Sequence, residues 1–104
     1  MKLRLTKNDA QEVLHKLGVL ADEPELQEEY GLTQPKTDAL LASVPTNGGE
    51  WTIAGELELA AVRGEMQDHA LVLHDIADDA RAANDKMESR RIRQQARRFE
   101  KAFK

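Results

Sequence analysis

Cysteine is absent from the 104 residues, which excludes a disulfide frame, a thiol nucleophile and a zinc site of the cysteine type. Aromatic residues make up only 4% of the chain. Any core must therefore be thin and mostly aliphatic, which leaves room for pairing between chains to add stability. No apolar run approaches the roughly 20 residues needed to cross a bilayer. Residues 1–5 (Met-Lys-Leu-Arg-Leu) lack the apolar stretch of a secretory signal. The expected location is the cytoplasm, with no membrane partner.

Catalytic signatures are equally sparse. Gly48-Gly49 follows no buried strand and so makes no phosphate loop. The two serines, Ser43 and Ser89, have no His and Asp near them in the chain. His69 and His74 stand five residues apart, whereas a helical zinc pair needs a spacing of four to share a face. No catalytic residue, metal or cofactor is expected, and the chain does not read as an enzyme.

The charge is abundant and unevenly placed. Charged residues make up 33%, for a net charge of −4. Residues 1–18 hold four basic and two acidic groups, and residues 19–38 hold one and six. Residues 50–80 hold one basic and eight acidic groups, and residues 87–104 hold seven and two. An acidic body thus ends in a basic tail, and such asymmetry points to an electrostatic partner.

The spacing of apolar residues predicts a mainly α protein. Residues 2–5 alternate polar and apolar, as a short strand does. Thr6 is an N-cap for a helix to about Leu17, where Gly18 supplies a left-handed stop. Asp22 caps a short helix from Pro24 to about Tyr30, closed by Gly31. Thr33 caps a third helix, running to Ser43 or Val44, with Leu40, Leu41 and Val44 on its buried face. Residues 45–49 are the clearest turn in the chain. Residues 50–53 then read as a second strand, pairing with residues 2–5.

Residues 55–84 read as a long amphipathic helix. Leu59, Val62, Met66, His69, Leu73, Ile76 and Ala80 recur at steps of three and four, the seam of a helix that packs on another helix. His69 would set register or partner on that seam. The pattern falters at Asn84-Asp85, where Asp85 with Glu88 forms a possible new cap. With no Gly or Pro between Met66 and Lys104, a continuous or gently broken helix is expected. The fold class is therefore a cluster of three short helices with a minor two-stranded β ribbon, then a long coiled-coil-like helix. The expected domains are residues 1–54 and 55–104, with the seam of the second making a homodimer.

Residues 24–41 resemble a helix-turn-helix: a short helix, Gly31 at the turn, Leu32 after it, then Thr33 as the cap of a second helix that carries Leu40. Gln27 stands where that pattern has a small residue, and Thr37 where it has Val or Ile. The resemblance implies DNA binding with Gln34 and Lys36 on the reading helix. That helix has no net charge over Gln34, Lys36, Thr37 and Asp38. Cations for phosphates would come from Lys2, Arg4 and Lys7, or from Arg90, Arg91, Arg93, Arg97 and Arg98 of the tail. The tail is itself amphipathic, with Ile92, Ala96, Phe99 and Phe103 on one stripe. It suits a nucleic-acid backbone, an anionic surface, or the acidic span of another chain. The expected function is a small DNA-associated regulator of the phage or plasmid type. The alternative is an acidic adaptor or inhibitor that binds a protein partner through the long helix.

Overall fold

A threonine opens two of the helices by the same device. In the computed structural model, which describes residues 1–104, the Thr6 hydroxyl accepts from the Asp9 amide and opens α1 (Lys7–Asp22). The Thr33 hydroxyl likewise accepts from the Lys36 amide and opens α3 (Gln34–Ser43). Each satisfies an amide that the first helical turn leaves without a backbone partner.

Between them lies α2 (Pro24–Glu29). It ends in a Schellman cap with Gly31 at φ +73°. The Leu32 amide donates to the Gln27 carbonyl and the Gly31 amide to the Glu28 carbonyl. Four residues thus separate α2 from α3, and α1 packs on both.

Two expectations fail here. Gly18 does not end α1, which runs on to Asp22. The buried series Ala10, Val13, Leu17 and Leu20 continues past the glycine. Burial of Leu20 outweighs the roughly 1 kcal/mol that an interior glycine costs. Asp22 is consequently the last residue of α1 rather than a cap. The N-cap of α2 is Glu23, which makes no side-chain capping bond.

The ribbon forms as expected. β1 (Lys2–Leu5) pairs antiparallel with β2 (Gly49–Thr52), with Leu3 opposite Trp51 and Leu5 opposite Gly49. The Ile53 amide extends the ladder to the Met1 carbonyl. Trp51 is buried and donates from its indole to Ser43 Oγ at 2.9 Å, which fastens the ribbon to α3.

The turn before β2 depends on Gly48, at φ +86°. A Cβ there would lie 2.8 Å from the Lys7 backbone nitrogen and 2.9 Å from the Leu5 carbonyl oxygen. Gly48→Ala is therefore expected to destabilise the fold by about 2–3 kcal/mol, combining a left-handed alanine with a backbone clash. Urea unfolding followed by Trp51 fluorescence measures it, and a loss below about 1 kcal/mol would mean the turn is built differently.

The chain divides into two compact units, Met1–Arg63 and Gly64–Lys104. The division lies beyond the expected 54/55 boundary because α4 (Glu56–Ala82) begins in the first unit. The second unit is a helical hairpin, since α5 (Lys86–Ala102) turns back along α4. Gln67 reaches the Phe103 and Glu100 carbonyls, His74 reaches Glu100, and Arg93 reaches Asp78.

The helix is thus broken at Asn84, not continuous. Asn84 adopts φ +64°, the Asp85 amide donates to the Ala80 carbonyl, and the Asn84 amide donates to the Arg81 carbonyl. That is a second Schellman cap, with asparagine in place of glycine. Asp85 then caps α5 by accepting from the Glu88 amide.

Candidate nucleic-acid interface

The hairpin explains what becomes of the seam. Met66, His69 and Leu73 are buried with Ala70 and Ala77, and α5 answers with Ile92, Ala96, Phe99 and Phe103. The His69 ring lies 6.1 Å from Phe99, and Phe99 lies 6.3 Å from Phe103. Val62 is buried within the first unit, where Leu59 is only half-buried. Ile76 is 44% exposed, and Ala80 is half-buried. The buried stripe follows 66, 70, 73 and 77 instead, so the seam runs off the expected register in the second half of α4. Because α5 covers this stripe within one chain, its burial no longer argues for a second copy.

The acidic span and the basic tail also meet within the hairpin. Arg93 pairs with Asp78 and donates to His74 Nδ1 at 3.1 Å, while His74 Nε2 faces Glu100. Arginine has only donors, so Nδ1 accepts and the imidazole proton lies on Nε2, directed at Glu100. The Asp78–Arg93–His74–Glu100 chain ties α4 to α5 along one flank. Arg91 pairs with Glu88 on its own helix. This hydrogen bond holds the Glu88 carboxyl below its usual range. Its small contribution is present above the ordinary carboxylate pKa and is lost as pH falls through the lowered one.

One exposed face of α5 carries a line of cations. Lys86, Arg90, Arg97 and Lys101 are exposed and form no ion pair. Their spacing of 4, 7 and 4 puts them on one side of the helix, away from Ile92, Ala96 and Phe99. The line is about 22 Å long at 1.5 Å per residue. Arg91 and Arg98 belong to a neighbouring flank, and Arg93 is drawn into the clamp. Sequence reasoning named Arg90 and Arg97 but passed over Lys86 and Lys101 as site residues. A helical wheel of residues 86–102 carries that signal.

The first unit treats its expected site residues differently. Gln34 on α3 is fully engaged: its amide donates to the Ala21 carbonyl and to Asp38, and its oxygen accepts from Gln27. Both of its N–H groups are used within the fold, so it has no donor left for a base edge. Lys2 pairs with Glu50 at 3.1 Å. Arg4 on β1, Lys7 on α1 and Lys36 on α3 are exposed but lie on three different elements. A cavity of about 560 Å³ lies at the start of α2 and is lined by Asp22, Glu23, Glu25 and Glu29 with Pro24 and Leu26. Such a surface repels phosphate.

The two departures from the helix-turn-helix pattern have structural uses. Gln27 is only 3% exposed and donates to the Leu20 and Ala21 carbonyls, closing the C-terminus of α1. Thr37 is buried and donates to the Thr33 carbonyl. Ser43 also serves the fold, donating to the Leu40 carbonyl while it accepts from Trp51. No protein-family model, curated protein or solved structure matches this chain.

Proposed function

We propose that this protein is a small DNA-associated regulator that acts by binding, and that it meets duplex DNA through the outer face of α5. One observation carries the reading: four unpaired cations share a straight helix face whose apolar back is already buried. The burial separates nucleic acid from a lipid surface. An interfacial helix needs its apolar face free to enter the membrane, and Ile92, Ala96 and Phe99 are occupied.

The same face favours duplex over single strand. Single-strand binders stack bases on exposed aromatics, and α5 presents none, since Phe99 and Phe103 are buried. The B-form major groove admits a helix, whereas the deep, narrow groove of A-form RNA does not. The first unit, with six basic and eleven acidic residues, is left to be repelled, so binding is one-sided. The homodimer enters this proposal only as an optional second copy, since one hairpin holds the whole line of cations.

The test is anisotropy of a labelled duplex against salt. Four phosphate contacts predict a slope of log K on log salt of about −3.6. A flat salt response, or no binding at about 50 mM salt, rejects the reading. The adaptor alternative would then stand, supported by Val72 and Ile76, which are 48% and 44% exposed on α4 among Asp68, Asp75 and Asp79.

A further inference from the structure

The closed end of the hairpin gathers two cations of that line, Lys86 and Arg90, with Arg81 and Arg93. A cavity of about 320 Å³ opens there, lined by Arg81, Lys86, Ser89, Arg90 and Arg93. We propose that it is a binding site for a phosphate group. Four of its five lining side chains are cationic and none is acidic.

Arg81 comes from the last turn of α4 and the other four from the first turns of α5. The left-handed Asn84 is what brings them together. The Arg93 guanidinium is shared with Asp78 and His74, but Arg81, Lys86 and Arg90 form no ion pair. The nearby carboxylates are committed elsewhere. Asp85 caps the Glu88 amide, Glu88 is held by Arg91, and neither lines the cavity.

Like charges gathered around one small space repel, and an anion in that space relieves the repulsion. Ser89 is buried at the wall and adds a neutral hydroxyl donor. Guanidinium forks, an ammonium and a hydroxyl match a tetrahedral oxyanion with three or four acceptor oxygens. A carboxylate offers two and would leave donors idle.

The phosphate can come from the end of a nucleic-acid strand or from a free phosphorylated small molecule. The strand source rests on the duplex reading above, but the pocket's chemistry does not.

Calorimetric titration of inorganic phosphate into the full chain, with chloride as the matched anion, tests the site. Saturable binding is expected, weakened about tenfold or more by the pair Arg81→Ala and Arg90→Ala. The pair Arg97→Ala and Lys101→Ala removes the same charge outside the cavity and should change the affinity less than about twofold. All four residues are exposed, and circular dichroism of each variant checks that the hairpin is retained. Absence of saturable phosphate binding, or equal losses in the two pairs, overturns the proposal.

A duplex with a 5′-phosphate, compared with its 5′-hydroxyl twin, then separates the sources. A preference for the phosphorylated end that Arg81→Ala and Arg90→Ala abolish assigns a strand terminus. Equal affinity for the two duplexes, with phosphate still bound, assigns a free phosphate compound. Phosphate binding without duplex binding would sink the regulator reading alone, and duplex binding without phosphate binding would sink this site alone.

Discussion

Phe99→Ala is expected to destabilise the helical hairpin by about 3–5 kcal/mol, the usual cost of emptying a buried aromatic site. Phe99 is 1% exposed and sits between His69 and Phe103. The flanking His69 and Phe103 rings are themselves buried, so moving either into the space would empty another site. Ala70, Ala77 and Ala96 line the same interior, and methyl groups cannot reach across a cavity of that size. Phe99→Leu keeps most of the volume and should cost about 1–2 kcal/mol. Met87→Ala is the control, since Met87 is 86% exposed and its loss should fall within about 0.5 kcal/mol. Urea denaturation followed by helical ellipticity measures all three. If Phe99→Ala behaves like Met87→Ala, the two helices do not close on each other.

That interior shows where sequence reasoning reaches and where it stops. The caps at Thr6, Thr33 and Asp85, the Gly31 stop and the ribbon were all legible, because each is written in three to six adjacent residues. The break at Asn84 was half legible. Asp85 announced a cap, but the absence of glycine and proline argued for continuity. Asparagine tolerates the left-handed region as well, so that absence was weaker evidence than it looked.

Gly18 misled in the opposite direction. An interior glycine and a terminal one look alike until burial of Leu20 decides between them. The apolar seam was legible as a seam, but its partner was not, since a stripe at three-and-four spacing fits a second chain and a returning helix equally well. Once the break is recognised, the returning stripe Ile92, Ala96, Phe99 and Phe103 supplies that partner. The cavity at the closed end needed the fold outright. Arg81 precedes the turn and Lys86 follows it, and only the reversal places them around one space.

Removing Arg97 and Lys101 together is expected to weaken duplex binding by roughly one to two orders of magnitude at about 0.1 M salt, and to flatten the salt slope by about 1.8. The reasoning is counterion release: each cation placed on a phosphate frees about 0.9 of a condensed ion. Both residues are exposed and unpaired, so their replacement leaves the hairpin interior untouched. Arg93→Ala makes the informative contrast. Its guanidinium is committed to Asp78 and His74, so its loss should lower hairpin stability while leaving the slope nearly unchanged. Glu28→Ala, at an exposed acidic position of α2, serves as a check on net charge alone. If it strengthens binding by half as much in log K as the α5 pair weakens it, in proportion to one charge against two, the whole-molecule charge governs affinity and the line on α5 has no special place. An effect confined to the α5 pair, with a slope change of the stated size, would assign the contact to that face, because nonlocal repulsion does not depend on which helix carries the charge.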